Sequence, residues 1–194
     1  MQQLDVAKAE LCALYLGLQS DAGISREQIS PLRSGFADRS YVRTVFAMFE
    51  GVGYATRQYI LAQAAAGRYQ ISTQERDLLS EQTYVLDSKG NIKNKESFLQ
   101  FLPGFRLTIH ILGRCLGRES YVASAFGHHS YESFQEGIAI RNRVTHPKLT
   151  QEIMLSFEEI ETVTRAEKWF NSLLADLLGD AFERHSGPVG ADVI

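Results

Sequence analysis

Cysteine is scarce: Cys12 and Cys115 are the only two in 194 residues. So few exclude a disulfide scaffold and suit a chain kept reduced in the cytoplasm. Long hydrophobic runs are missing as well. The longest, Leu11 to Leu18, is too short to span a bilayer, and nothing resembles a signal peptide, so no membrane partner is expected. Basic excess is also lacking, since the formal net charge is −3 and the pI about 6.0. That excludes a surface that coats nucleic acid indiscriminately, yet it says little about one local site. No repeat period, low-complexity tract, phosphate-binding loop, dinucleotide fingerprint or nucleophile elbow is present. The adjacent His128 and His129 have no cysteine or carboxylate at ligand spacing, so neither zinc nor a cofactor is expected.

What the chain has is apolar content, 44% against 22% charged, which excludes disorder for its bulk and allows a sizeable core. The periodicity predicts an all-α fold, an up-and-down bundle of four to five main helices. From Asp38, Val42, Val45, Phe46, Phe49, Val52, Tyr59 and Ile60 form one buried stripe on a helix running to about Ala66. Ser72 and Glu75 make a capping box for a short helix, and Ser156 and Glu159 make another for a long closing helix through Leu178. Between Thr83 and Lys95, the turn signal Ser88-Lys89-Gly90-Asn91 predicts a small hairpin or an extended loop near 84–93. A helix is expected from about Lys95 to Leu116, kinked or divided at Pro103-Gly104, and another from Ser130 to Thr145, closed by Pro147. Gln3–Gln19 reads as a separate helix with a polar link. The expected organisation is an N-terminal extension and linker (1–35), a helical domain (36–185) and a flexible tail (186–194).

The segment Ile140 to Pro147 carries the chemistry. Arg141 offers a fork of donors suited to phosphate oxygens, Asn142 an amide, and His146 a group able to move protons near neutral pH. Together they supply what metal-independent RNA cleavage needs: proton transfer at the 2′-hydroxyl and stabilisation of charge on phosphorus. Five helical positions place Arg141 and His146 about 140° apart. Pro147, however, biases His146 out of the helix and frees its imidazole. Convergence within one chain or across a two-fold axis both remain open. The plain alternative is that Arg141 and Arg143 are solvated charges at a helix end and His146 its cap.

The pattern Arg141-Asn142-x-x-x-His146 resembles the signature of the HEPN superfamily, an Arg followed by a polar residue, with a His four to six positions beyond the Arg. The helical layout from about Asp38 to Leu178 is similar too, with the motif near the end of the penultimate long helix. The resemblance implies a helical bundle that forms a homodimer, two motif copies sharing one cleft. It also implies a metal-independent endoribonuclease of a toxin–antitoxin, abortive-infection or other antiviral system, with an antitoxin or defence protein as partner and RNA as substrate. On it, Arg141 binds the scissile phosphate, His146 transfers protons, and Asn142 positions either. The products would be a 2′,3′-cyclic phosphate and a 5′-hydroxyl. Where one subgroup of the family has a modifiable Tyr two residues after the His, this chain has Lys148. A non-catalytic HEPN module that binds a nucleotide or a protein is the alternative implied.

Several residues have two readings. Glu50 either orients Arg141 or His146, as an acidic residue does in many HEPN sequences, or pairs with Arg57 or Arg43. Arg143 and Lys148 beside the motif, and Arg114 and Arg118 on an earlier helix, either build a positive field for phosphates or sit favourably at helix ends. His128, His129 and Tyr131 are read as a helix-entry loop rather than an RNA contact. His110 is read as a core histidine, His185 as solvated, and Trp169 and Phe170 as core or dimer contacts.

Overall fold

The computed structural model describes residues 2–29 and 35–183. Among them are seven α-helices, one 3-10 turn and one two-stranded antiparallel sheet, an all-α architecture built by helix packing. In order these are α1 (Gln2–Glu27), α2 (Gly35–Ala65), α3 (Thr73–Leu79), β1 (Gln82–Leu86), β2 (Ile92–Glu96), α4 (Phe101–Cys115), α5 (Glu119–Gly127), α6 (His129–Thr145), the 3-10 turn Thr150–Ile153 and α7 (Phe157–Glu183). No helix among the described residues is long and apolar enough to cross a membrane. The expected tail, His185 and part of the expected linker lie outside the described residues.

The described residues cluster in two compact units. One contains residues up to Leu11 together with Gly53–Val122; the other contains Cys12–Val52 and the described residues from Ala123 onward. Both α1 and α2 contribute to each.

In the first unit the buried side chains include Ile60, Leu79, Phe105, Ile109, Leu112 and Val122. The start of α3 is the expected capping box, with the Ser72 hydroxyl accepting from the Glu75 N–H at 3.1 Å and Glu75 accepting from the Ser72 N–H at 2.8 Å. Glu75 also takes two bonds from Arg114, at 2.7 and 3.0 Å. The Arg114 guanidinium, followed by the Ser72 N–H, holds the Glu75 carboxyl down to about 2. Because that lies below the unfolded value of about 4.3, the pair's contribution to stability is complete above that value and is lost as pH falls toward 2. Glu75→Gln is therefore expected to be less stable than the parent at neutral pH. The gap should close by pH 2, as read by helical circular dichroism in denaturant at each pH.

One boundary in this unit differs from expectation. The helix expected from Lys95 begins at Phe101, because residues 92–96 belong to β2 and the Ser97 N–H closes the ladder on the Glu81 carbonyl at 2.8 Å. Pro103 thus falls in the first turn of α4, where its missing N–H has no helical acceptor to serve, and α4 runs undivided. Helix α5 carries no strong apolar periodicity, and only Val122 of it is buried. His110 is exposed rather than in the core, one position past buried Ile109 and so about 100° off the stripe.

Of the two expected forms near 84–93 the hairpin is the one present, and it is longer, with Leu86 opposite Ile92 and Gln82 opposite Glu96. Its turn is organised by Asp87, whose Oδ1 accepts from the N–H groups of Lys89 and Asn91 at 2.8 and 2.9 Å. Gly90 takes the left-handed conformation the turn needs, at φ 80°.

The second unit is centred on aromatic rings. Phe49 lies 5.0 Å from Phe46, 5.0 Å from Phe134 and 4.5 Å from Phe170, centroid to centroid. Trp169 packs on Phe126, Tyr131 and Phe134, and its indole N–H donates to the Ala125 carbonyl at 3.1 Å. Gly137 lets α6 approach α2, since a Cβ there would stand 3.1 Å from the Phe46 ring. Helix α1 continues past the expected Gln19 to Glu27 because its last turns gain partners. Ala22 is fully buried, Ser25 bonds Thr44 at 3.3 Å, and Arg26 pairs with Glu167 at 3.0 Å. Glu167 is itself buried and accepts from the Tyr41 hydroxyl at 2.6 Å; burial first, then this carboxylate, pushes the Tyr41 pKa well up.

Candidate active site

Helix α6 delivers the motif, and both of its ends have local causes. At the start, His128 is the N-cap, its Nδ1 accepting from the Ser130 N–H at 3.2 Å, with the His129 ring 4.1 Å away. Tyr131 is buried among Phe126, Phe134 and Trp169, which makes it a core residue. At the other end His146 is the C-cap, at φ −126° and ψ 55°, outside the helical region as Pro147 requires. Arg43 donates to the Val144 carbonyl at 3.1 Å, a cation placed on the helix's exposed carbonyl end.

Glu50 of α2, Arg141 and Asn142 form one bonded row. The Arg141 guanidinium pairs with the Glu50 carboxylate and donates through its other terminal nitrogen to Asn142 Oδ1 at 3.0 Å. Of the partners open to Glu50, Arg141 is the one it takes; Arg57 pairs with Glu81 instead, at 3.1 Å. The row is partly open to solvent, and the guanidinium keeps donors beyond the two it uses. Asn142 also ties the motif together through its main chain, its carbonyl accepting the His146 N–H at 3.0 Å. The His146 side chain is exposed, and no hydrogen bond joins its imidazole to the row or to any other described residue. Glu50, Arg141 and Asn142 are thus brought together, while His146 is held beside them by its backbone alone.

Arg143 is occupied differently. It donates to the Glu152 and Met154 carbonyls at 2.7 and 3.0 Å and pairs with the Glu159 carboxylate. The other Glu159 oxygen accepts the Ser156 N–H at 2.8 Å, completing the expected cap of α7. Arg143 therefore fastens the end of α6 to the start of α7 and fixes the 147–154 segment between them. Within that segment Glu152 accepts the N–H groups of both Lys148 and Leu149, and these bonds, the Lys148 one first, lower its carboxyl pKa. The Lys148 side chain is exposed. Arg143→Ala is expected to cost about 1–2 kcal/mol in urea unfolding, the worth of partly exposed charge-assisted bonds. Arg143→Lys should recover less than half, because an ammonium cannot reproduce the fork.

Arg114 and Arg118 belong to the first unit, where Arg114 is engaged by Glu75. Trp169 and Phe170 are core residues. Sequence reasoning did not identify Glu152, Glu159 or Arg43 as partners of this helix end. The Ser156–Glu159 capping box was legible, but it accounts for only one of the two Glu159 oxygens. Among the described residues no group of three or more histidine, cysteine, aspartate or glutamate side chains is placed to hold a metal ion. Comparisons of the chain with family models, curated proteins and solved structures find no match.

Proposed function

We propose that this chain is a metal-independent endoribonuclease of the HEPN type. It acts as a homodimer with a composite site, in a toxin–antitoxin, abortive-infection or antiviral setting. The observation that carries the reading is Arg141, held between Glu50 and Asn142, on the same helix end as an exposed His146 whose imidazole has no hydrogen bond to any described residue. Glu50 and Asn142 keep the guanidinium extended, and its remaining donors meet phosphate oxygens. The 2′-oxygen attacks phosphorus, the O2′–P bond forms as the P–O5′ bond breaks, and charge gathers on the non-bridging oxygens that Arg141 faces. His146 takes the 2′ proton or supplies one to the departing 5′-oxygen, leaving a 2′,3′-cyclic phosphate and a 5′-hydroxyl. Lys148 adds local positive charge, whereas Arg143 serves by holding the segment that follows His146.

The test is incubation of the purified chain with RNA in chelator, beside His146→Ala and Arg141→Ala, with analysis of the cleaved ends. Cleavage by the parent alone, with cyclic phosphate termini, is expected; no cleavage, or equal cleavage by all three, overturns the reading. Solution mass checks the dimer, and a strict monomer at micromolar concentration removes the composite site.

A further inference from the structure

The hairpin of the first unit leaves one strand edge open. The bonds from the Asp87 N–H to the Asn91 carbonyl and from the Ser97 N–H to the Glu81 carbonyl put the odd-numbered residues in the bonded pairs. Ile92, Asn94 and Glu96 therefore turn their N–H and C=O groups away from β1. Helix α3 lies beside β1, every residue of β2 is exposed, and no described strand pairs with its outer edge. At its turn end one face of the hairpin is apolar: the cross-strand partners Leu86 and Ile92 are each 72% exposed, with Tyr84 on the same face, which becomes polar at Asn94, Gln82 and Glu96. The opposite face carries Lys93 and Lys95 beside Val85 and Thr83, Lys93 also reaching Asp87 of the turn in a partly exposed ion pair at 3.4 Å. A two-stranded ribbon with such a face is marginal alone, and a third strand would cover it.

Charge decides what that strand is. A second copy is disfavoured. Antiparallel pairing of β2 with itself about Asn94 sets Lys93 against Lys95, and pairing about either lysine sets that lysine against its own copy. Phosphates would suit the lysines, but the hairpin's one exposed ring, Tyr84, lies on the face away from them and its hydroxyl donates to Asp77 at 3.1 Å, so one strand of bases could not use both. We propose that the outer edge of β2 docks an extended segment of a partner protein that alternates acidic and apolar side chains. Its main chain bonds the outward groups of Ile92, Asn94 and Glu96. Its acidic side chains stand against Lys93 and Lys95, and its apolar ones extend the Leu86–Ile92 face.

Amide hydrogen exchange on the intact chain tests this, the probe being a soluble peptide alternating valine and glutamate. Saturating peptide is expected to slow exchange of the Asn94 amide at least tenfold, while a valine–lysine peptide changes it less than twofold. Asn94→Pro removes an outward N–H that the hairpin's own ladder does not use, and should abolish the protection of Ile92 and Glu96. Lys93→Glu with Lys95→Glu should reverse the preference between peptides. No protection, equal protection by both peptides, or protection of Ile92 and Glu96 that survives Asn94→Pro overturns the proposal. Self-association lost in Asn94→Pro assigns the edge to a second copy instead. Protection of Asn94 by single-stranded RNA but not by the acidic peptide assigns it to nucleic acid.

Discussion

His146→Ala is expected to lower RNA cleavage by about 10²–10⁴, the usual worth of a positioned proton-transfer group, with unfolding free energy unchanged within about 0.5 kcal/mol. The two halves of this result depend on different bonds. His146 holds its place through its backbone N–H, which donates to the Asn142 carbonyl at 3.0 Å and survives the substitution. Its imidazole is exposed and has no hydrogen bond to any described residue, so truncation leaves no buried group unsatisfied. A loss of activity can then be assigned to chemistry and not to unfolding. Arg141→Ala is the less clean variant, because it also removes the ion pair with Glu50 and the bond to Asn142. These partly exposed contacts are worth about 0.2–1 kcal/mol, small beside the expected loss of phosphate stabilisation. Cleavage assays paired with urea unfolding of all three proteins decide the matter. Full activity in His146→Ala would leave Arg141 and Asn142 as features of a binding surface.

The features legible in the sequence are those set within a few residues. The capping boxes at Ser72–Glu75 and Ser156–Glu159 form as the spacing predicts, because both partners lie within one turn. The exit of His146 from α6 follows from Pro147 alone. The hairpin turn was marked by Ser88 to Asn91, although Asp87, just outside that signal, supplies the organising carboxylate. The misses depend on distant partners. The last turns of α1 are held by Thr44 and Glu167, and local composition, polar and turn-prone, argued against helix there. For Arg143 the sequence left a phosphate field and a favourable helix-end charge both open; its bonds to Glu152, Met154 and Glu159 require the chain to turn back. Glu50 is 91 positions from Arg141, and sequence offered it three arginines without a way to choose.

The largest effect on stability is expected from Phe49→Ala, about 3–5 kcal/mol. Phe49 is fully buried on α2 and touches Phe134 of α6 and Phe170 of α7, rings that are themselves fully buried. Removing it deletes the ring's apolar burial and leaves a cavity that its neighbours cannot fill by small shifts. Gly137 already brings α6 close to Phe46, and the surrounding rings meet at tilted angles. Phe49→Leu keeps most of the volume and should cost less than half as much. Urea unfolding measures both, with the midpoint falling in the order parent, leucine, alanine and the slope unchanged. Because Glu50 follows Phe49 on α2 and Arg141 lies two turns beyond Phe134 on α6, this ring cluster also sets the spacing of the Glu50–Arg141 pair. Phe49→Ala is thus expected to weaken cleavage before it unfolds the chain, and a variant fully active at low denaturant would show that the pair does not depend on the core beneath it.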